Sequence, residues 1–444
     1  MNDDVRFERQ FADGLHELAP RRAPDRLRTT IKAQTGEMRP RARWLALIKE
    51  PTMRSNNRLA VGSPTARVAA IMAATLLAAM MIIGAGVAGA QLLAAGPHVV
   101  DANGDGHYTS IQAAVDAAAD GDEIVVKPGT YAEAVTIEDK SVSIRGDGPV
   151  EEVILELDDA TLITLNVTDS EISNLTLRGD NDTTGVSILE GAPVLSGLVF
   201  DGTGVAYQGG EIGKGSSLNI AGGTASVLDC QFLGGGEVMV TFDADVLLEG
   251  NEFIDGPHLD LNDPGDEAVV RGNTFSGSHD RAMGLFGEST MLIEGNTVNG
   301  AGGDGITVGW QSSPGHDPMI RDNVISGTAI GIMVFPDTNP VVEGNRISSS
   351  TTGIRSMGGP VSYTDNELTG NDAGIRLWGS PRLDGNTIED GGVGLTVSGE
   401  DSTPMLTGNT ICGNEQNVFV SELSDAPPLE YDETNEICED EPAE

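Results

Sequence analysis

Residues 291–300 read MLIEGNTVNG, and six near-copies of this stretch recur between residues 246 and 413. In every copy an apolar residue follows the asparagine by two positions, and successive asparagines of the series lie 20 to 27 residues apart. A period of this length is typical of a solenoid, in which each structural repeat stacks on the one before it. The series comprises Asn251, Asn273, Asn296, Asn323, Asn345, Asn366, Asn386 and Asn409.

Leucine-rich repeats are the competing interpretation, because apolar residues flank an asparagine in that family too. Eight residues before the asparagine, where that repeat has leucine, this chain has Gly315, Asp337, Trp378 and Asp401. The second half of each period alternates in polarity, as in GIRLWG, which predicts strands rather than helices. The pattern therefore predicts an all-β chain that forms a right-handed parallel β-helix of about eleven coils.

The repeated asparagine has a structural explanation. Coils stack at the strand spacing of about 4.8 Å, so equivalent residues of successive coils lie directly above one another. A side-chain amide carries both donors and an acceptor and can therefore bond from coil to coil. The Gly or Asp before each asparagine suits a tight turn. We predict that the eight asparagines form a buried ladder, continued towards the amino terminus by buried Cys230, Leu198 and Leu175.

One helix signal precedes the repeats, in residues 108–122, which read YTSIQAAVDAAADGD. Its apolar residues Ile111, Ala114, Val115 and Ala118 share one helical face. Thr109 with Gln112, three positions on, matches a capping box. We predict a short helix here that covers the amino-terminal end of the solenoid, because a stack of strands without a cap exposes an edge.

A family resemblance rests on the same region. Residues 108–148, which read YTSIQAAVDAAADGDEIVVKPGTYAEAVTIEDKSVSIRGDG, closely resemble the opening block of pectin-methylesterase-like members of the pectin-lyase-like superfamily. With the coils, the resemblance covers roughly residues 98 to 420 and implies the β-helix fold. The catalytic QDT, DFIFG and GRPW segments of the esterases do not occur in this chain, nor does the GHG of polygalacturonases. No family catalytic residue is therefore carried over.

Charge divides the chain into two parts. Residues 1–67 carry 14 Lys and Arg against 8 Asp and Glu, whereas the remainder carries 12 against 60. Residues 68–90 contain no charged side chain and, at about 1.5 Å per residue, are long enough to cross a bilayer as a helix. Arginines precede this segment and no basic residue follows before Lys127, which places the amino terminus in the cytoplasm. Cleavage near Ala90, with secretion, is the alternative.

These features predict four regions. They are a basic, loosely ordered cytoplasmic tail (1–66), a transmembrane anchor (67–95), the β-helix (97–420) and an acidic tail (421–444). The expected location is the cell membrane, with a single span and the β-helix outside the cytoplasm. Cys412 and Cys438 can pair and tie the acidic tail to the last repeat. The negative charge of the outer part argues against nucleic acid as a partner.

One group of polar residues is a candidate catalytic site. His258 and Asp280 each lie seven residues after an asparagine of the series, so we expect them one coil apart on the same turn, beside His279 and Arg281. A histidine next to a carboxylate can act as a general base, and Arg281 can neutralise a substrate carboxylate. A solvated turn is the alternative, because turns favour these residue types.

A candidate substrate-binding strip lies on the strands. In GIMVFP, GIRSMG and GIRLWG the outward positions include Phe335, Arg355, Arg376 and Trp378, so basic and apolar columns run side by side. Aromatic rings stack on sugars, and arginine pairs with carboxylates or sulfates. Packing of the acidic tail against the two arginines is the alternative.

Residues 101–112, DANGDGHYTSIQ, match part of an EF-hand loop. Asp101, Asn103 and Asp105 occupy ligand positions, but Gln112 stands where the loop has its final glutamate and also suits the helix cap. Calcium is the one candidate ion, and no cofactor is required.

Three functions remain open at this point. The first is a membrane-anchored, extracytoplasmic β-helix that binds polysaccharide or another cell-envelope component without catalysis. The second is an enzyme that modifies uronate-containing polysaccharides as a lyase, epimerase or esterase. The third is a transmembrane regulator whose cytoplasmic tail is similar to those of anti-sigma-factor-like proteins. The absence of a complete catalytic motif favours the first.

Overall fold

A computed structural model describes residues 96–204, 215–234, 236–277, 281–300, 302–309, 317–359, 361–399, 402–421, 429 and 431–440. The predicted cytoplasmic tail and transmembrane anchor lie outside these residues. Within them, no helix is both long and apolar enough to cross a membrane.

The described chain winds through three parallel sheets, here named A, B and C. Each coil contributes one strand to each sheet, so the strands that neighbour each other in a sheet come from successive coils. The strands of sheet A are His98–Val100, Glu123–Val126, Ser143–Gly146, Glu171–Ser173, Val194–Ser196, Ser226–Leu228, Leu247–Glu249, Val269–Arg271, Leu292–Glu294, Met319–Arg321, Val341–Glu343, Ser362–Thr364, Arg382–Asp384 and Met405–Thr407. The strands of sheet B are Gly129–Tyr131, Val153–Glu156, Thr176–Arg178, Val199–Asp201, Gln231–Leu233, Glu252–Ile254, Thr274–Ser276, Thr297–Asn299, Val324–Ser326, Arg346–Ser348, Glu367–Thr369, Thr387–Glu389, Thr410–Cys412 and Glu436–Ile437.

Sheet C carries longer strands than the other two. They are Val135–Glu138, Thr161–Asn166, Thr184–Ile188, Leu218–Ile220, Glu237–Thr241, His258–Asn262, Arg281–Phe286, Asp304–Val308, Ile330–Val334, Thr352–Ser356, Ala373–Trp378, Val393–Ser398 and Gln416–Val420. The architecture is a right-handed parallel β-solenoid of about 13 coils, two more than predicted. The two coils that were not counted lie before Leu175, the first position matched to the ladder, and their strands in sheet B are Gly129–Tyr131 and Val153–Glu156.

The predicted asparagine ladder is confirmed. All eight side chains are buried. The Asn296 Nδ2 donates to Asn323 Oδ1 at 3.0 Å and to the Val270 carbonyl of the preceding coil at 3.0 Å, and the Asn296 N–H donates to the same Oδ1 at 2.9 Å. The same bonds repeat along the column, so each amide ties three coils together.

The turn before the ladder is also as predicted. Gly272 has a φ of 64° and Asp322 a φ of 55°, which is the left-handed region that Gly and Asp tolerate best. Cys230, Leu198 and Leu175 continue the column as buried residues, and the Cys230 N–H donates to Asn251 Oδ1 at 2.9 Å.

The core is a continuous apolar column inside the coils. It includes a stack of four rings, Phe200, Phe232, Phe253 and Phe275, in which the centroids of neighbouring rings lie 4.3 to 4.8 Å apart. The spacing follows from the coil spacing, since these residues are in register in sheet B.

The predicted helix is Ile111–Ala117, and its apolar face is buried against the first strands. The capping box was one residue out of place. Ser110 is the N-cap and accepts from the Ala113 N–H, while Glu133 accepts from the Ile111 N–H at 2.7 Å. Glu133 supplies the second partner from another part of the chain, which a local motif does not reveal.

The acidic tail closes the other end of the described solenoid. Glu436–Ile437 pairs with Thr410–Cys412, and a disulfide joins Cys412 to Cys438. Asn435 accepts from Asn409 Nδ2 at 2.9 Å, so the tail adds a ninth asparagine to the ladder. The tail thus continues the coil pattern for one further strand.

Candidate functional site

The outer face of sheet C carries the candidate site. On its strands, residues such as Leu259 and Ile306 point inward and are fully buried. The residues next to them on the same strand therefore point outward, because side chains alternate between the two faces of a sheet. Strand register places the following outward residues in one line, here named the outer column: Met239, Asp260, Gly284, Thr307, Met333, Arg355, Arg376 and Thr396. Unlike the ladder, this column changes its chemistry from coil to coil.

Four ionisable side chains meet at the amino-terminal part of the outer column. Glu237 and His258 are in register on neighbouring strands, with 3.8 Å between Glu237 Oε1 and His258 Nε2. The same nitrogen lies 3.9 Å from Asp260 Oδ2. The Arg281 Nε donates to Asp260 Oδ1 at 2.9 Å, and its Nη2 donates to Oδ2. We refer to Glu237, His258, Asp260 and Arg281 as the acidic cluster.

The acidic cluster is shielded from solvent although it lies on an outer face. Glu237, His258 and Asp260 are 5%, 8% and 6% exposed. Burial raises the pKa of Glu237 to about 8, and the neighbouring Asp260 carboxylate acts in the same direction while Arg281 opposes it. Burial also raises the pKa of Asp304, which is in register with Arg281. Such displaced pKa values are concentrated at functional sites.

A glycine makes room for the ion pair in the acidic cluster. A Cβ atom at Gly284 would lie 2.5 Å from Asp260 Oδ1 and 2.6 Å from Arg281 Nε. The Asp260 carboxylate and the Arg281 guanidinium therefore occupy the space that a side chain at position 284 would fill. The Arg281 guanidinium also lies 5.1 Å from the centroid of the Phe286 ring, which holds it from the other side.

The structure brings together only part of the predicted catalytic set. His258 and Arg281 lie in the acidic cluster, whereas His279 and Asp280 lie outside the described residues. The prediction that His258 lies on a turn is wrong, because it begins the strand His258–Asn262. The partner that was missed is Glu237, which lies seven residues after Cys230 just as His258 lies seven residues after Asn251. Counting from Cys230 would have found it.

The predicted substrate-binding strip lies further along the same column. Met333, Arg355 and Arg376 are in register on successive strands. The Arg355 guanidinium carbon lies 5.4 Å from the centroid of the Trp378 ring, so Trp378 holds this arginine in place. Phe335 follows the strand Ile330–Val334 and is half-buried.

Arg376 differs from the other arginines. Its side chain is exposed, and within the described residues it forms no ion pair, hydrogen bond or ring contact. Arginines that pair with carboxylates in the described chain include Arg145, Arg178, Arg271, Arg281, Arg321, Arg346 and Arg382. Arg376 is therefore available to an anion from outside.

The loop predicted to bind calcium is closed by its own backbone. Asp101 Oδ1 accepts from the Asn103 N–H at 2.8 Å. Asp105 is exposed. The Gln112 amide donates to Asp116 at 2.7 Å and accepts from the Thr136 N–H at 2.7 Å, so it is engaged on the helix. Calcium at Asp101, Asn103 and Asp105 stays a prediction.

A cleft of about 780 Å3 lies near the carboxyl-terminal end, lined by Val397, Leu406, Val420, Leu429 and Tyr431 among others. It contains none of the residues predicted for the site. Its polar lining residues are Ser380, Ser402, Thr403, Tyr431 and Asp432, so the cleft has a carboxylate but no basic side chain to pair with an anion.

The comparisons with known proteins assign the fold. A family model described as right handed beta helix region matches residues 161–316 and 310–431, which together are more than half of the chain. The chain therefore belongs to this family of right-handed β-helix proteins. The β-helix fold that the resemblance to the pectin-lyase-like superfamily implied is confirmed. None of the curated proteins matches the chain in sequence.

Several solved structures are similar to the chain at low identity. A double mutant of the periplasmic alginate epimerase AlgG has 14% identity and a TM-score of 0.47, over 71% of this chain and 77% of that one. A PL6 alginate lyase in complex with a trisaccharide has 14% identity and a TM-score of 0.44, over 76% and 88%. The A-module of the mannuronan C-5 epimerase AlgE4 of Azotobacter vinelandii has 16% identity and a TM-score of 0.43, over 73% of this chain and 96% of that one. These likenesses concern the fold alone.

Proposed function

We propose that the outer face of sheet C binds an acidic polysaccharide outside the cytoplasm, on a protein anchored in the cell membrane. The observation that carries this proposal is the exposed Arg376, which has no partner in the described chain and lies in register with Arg355. The anchor and the location rest on the charge pattern and the apolar segment 68–90.

Charge explains why the ligand is an anion. The chain carries 12 basic against 60 acidic residues after residue 67, so most of its surface repels anions. Two adjacent arginines make this part of the outer column an exception. The planar guanidinium of arginine matches the carboxylate of a uronate or a sulfate ester with two hydrogen bonds.

The spacing of the coils suits a linear polymer. Neighbouring strands lie about 4.8 Å apart, which is close to the length of one sugar unit. Arg355 and Arg376 are on neighbouring strands, so they can contact acidic groups of consecutive sugars if the polymer runs along the solenoid. Phe335 and Trp378 provide apolar surface beside this path. Binding of this kind requires no cofactor.

The test compares binding by two arginine variants of the full-length protein in detergent. Arg376→Ala should weaken the binding of a polyuronate by about tenfold or more, since a hydrogen-bonded ion pair contributes about 1.5 to 3 kcal/mol. Arg346→Ala is the matched control, because Arg346 is an exposed arginine of sheet B that pairs with Glu367. A neutral polysaccharide should not bind. Equal affinity of both variants and the natural chain for the polyuronate would overturn the proposal.

A second candidate function is modification of the bound polysaccharide. The observation that favours it is the acidic cluster, in which His258 and Glu237 lie beside Arg281 on the face that we propose to bind the polymer. A lyase or epimerase needs a base for the proton next to the sugar carboxylate and a cation for that carboxylate. In the metal-free protein His258 is the candidate base and Arg281 the candidate cation.

Incubation with polyuronates tests this candidate. Mass spectrometry detects unsaturated, shortened or de-esterified products, and proton NMR detects epimers, whose mass is unchanged. Activity that is lost in His258→Gln and Glu237→Gln and kept in His98→Ala would support an enzyme. Unaltered polymers in the presence of measured binding would leave the binding function alone.

A further inference from the structure

Three potential metal-ligand atoms converge inside the acidic cluster. One nitrogen of His258 and one oxygen each of Glu237 and Asp260 all lie within 4.8 Å of one another, and all three residues are buried. The only comparable group in the described chain includes Cys412 and Cys438, whose sulfurs are joined in a disulfide. We propose that Glu237, His258 and Asp260 bind a divalent transition-metal ion, with zinc as the best match.

The distances suit such an ion. Zinc bonds of about 2.1 Å in a tetrahedron place neighbouring ligand atoms about 3.4 Å apart. The His258 nitrogen lies 3.8 Å from the Glu237 oxygen and 3.9 Å from the Asp260 oxygen. Small side-chain rotations close the difference of about 0.5 Å, and they leave the strand register unchanged.

The donor set distinguishes zinc from calcium and magnesium. Zinc accepts both imidazole nitrogen and carboxylate oxygen as ligands, whereas calcium takes six to eight oxygen ligands and magnesium prefers six oxygens. The described residues supply three ligands, so a fourth ligand, such as a water molecule or an anionic group, would complete the tetrahedron.

The surrounding charges favour a dication. Glu237 and Asp260 contribute two carboxyl groups to the acidic cluster, while Arg281 contributes one guanidinium; the nearby Asp304 carboxyl is also acted on by Arg355. Burying adjacent carboxylates without a compensating cation costs free energy. Arg281 approaches Asp260 as its partner, and each carboxylate oxygen has a second lone pair for the metal. Arg281 would then orient Asp260, as groups beyond the ligands often do at metal sites.

The test is zinc binding by the untagged full-length protein. After dialysis against zinc, elemental analysis should give about one zinc per chain, and titration calorimetry should give one saturable site. His258→Gln and Glu237→Gln should each weaken binding by about a hundredfold. His98→Ala is the matched control, because His98 faces a single carboxylate, that of Asp122, at 3.2 Å.

The visible absorption spectrum of bound cobalt is a second measurement, and it reports the coordination of the metal rather than its affinity. Cobalt in place of zinc should give the intense visible absorption of a four-coordinate site, and the His258→Gln protein should lack it. Circular dichroism shows whether each variant folds. Equal zinc affinity of the natural chain, His258→Gln and His98→Ala, or no saturable site, would overturn the inference. Arg376→Ala should keep its zinc, so failure of the metal site and failure of polysaccharide binding are separable outcomes.

Discussion

The asparagine ladder, between the strands of sheets A and B, and the outer column, on sheet C, run along the same coils but differ in how their residues repeat. The ladder repeats one residue over eight coils, and each copy makes the same hydrogen bonds. The outer column changes from Asp260 to Gly284 to Met333 to Arg355. A residue that repeats from coil to coil, as the ladder asparagine does, serves the stacking of the coils. A residue that occurs in one or two coils only, as in the outer column, serves one part of the surface.

The largest effect on stability should come from the ladder. Asn323→Ala removes an amide that donates to the Ile293 carbonyl and to Asn345, and that accepts from the Asn296 N–H. These buried groups would lose their partners, so we expect the free energy of unfolding to fall by about 4 kcal/mol in urea titrations. Asn299→Ala is the matched control, because Asn299 is an exposed asparagine and should change stability by about 0.5 kcal/mol or less. Similar losses in both variants would remove the special role of the ladder.

The end of the ladder should respond to loss of the disulfide. Cys412→Ser opens a loop of 26 residues and should cost about 3 kcal/mol, because the unfolded chain regains freedom. Hydrogen exchange should show faster exchange at Thr410–Cys412 and an unchanged rate at Thr274–Ser276. Uniform acceleration along the chain would mean that the tail is not a local cap but supports the whole solenoid.

A smaller change in stability is expected in the outer column. Gly284→Ala places a methyl group on the Asp260–Arg281 pair, which must separate. We expect a loss of about 1 to 2 kcal/mol in thermal or urea unfolding, together with weaker zinc binding. Gly272→Ala is the control, because Gly272 lies in a turn with a φ of 64° and an added Cβ would contact no other atom. This substitution strains the backbone but should leave zinc binding intact. Unchanged zinc binding in Gly284→Ala would show that the ion pair does not orient the ligands.

The smallest effect on stability should come from Arg376→Ala. Its side chain has no partner in the described chain, so the free energy of unfolding should change by about 0.5 kcal/mol or less while polyuronate binding falls. A large loss of stability in urea would mean that Arg376 serves the fold.

Structural features that repeat from coil to coil could be predicted from the sequence. The eight asparagines, the left-handed residue before each and the apolar face of Ile111–Ala117 all follow from spacing and residue type. The coil count fell short by the two coils before Leu175. The helix cap was misplaced because Glu133, a partner distant in sequence, acts beside Ser110.

The candidate site was predicted less completely, because it depends on register between coils. His258 and Arg281 were identified by residue type, but their neighbour Glu237 comes from a coil whose ladder position is Cys230. The cation–π contact of Arg355 with Trp378 likewise follows from side-chain placement. No pattern in the sequence indicates which arginine lacks a carboxylate partner, since the partner of Arg271, Glu249, lies a whole coil away.

We propose that the outer column around Arg376 is the surface that binds the polysaccharide. Hydrogen exchange of the full-length protein with and without an acidic hexasaccharide tests it most directly, because it maps contact without assuming a residue. The claim predicts protection at Thr352–Ser356 and Ala373–Trp378 and no change at Arg346–Ser348 on sheet B. Protection confined to the cleft lined by Leu406 and Tyr431, or no protection at a saturating concentration, would contradict it.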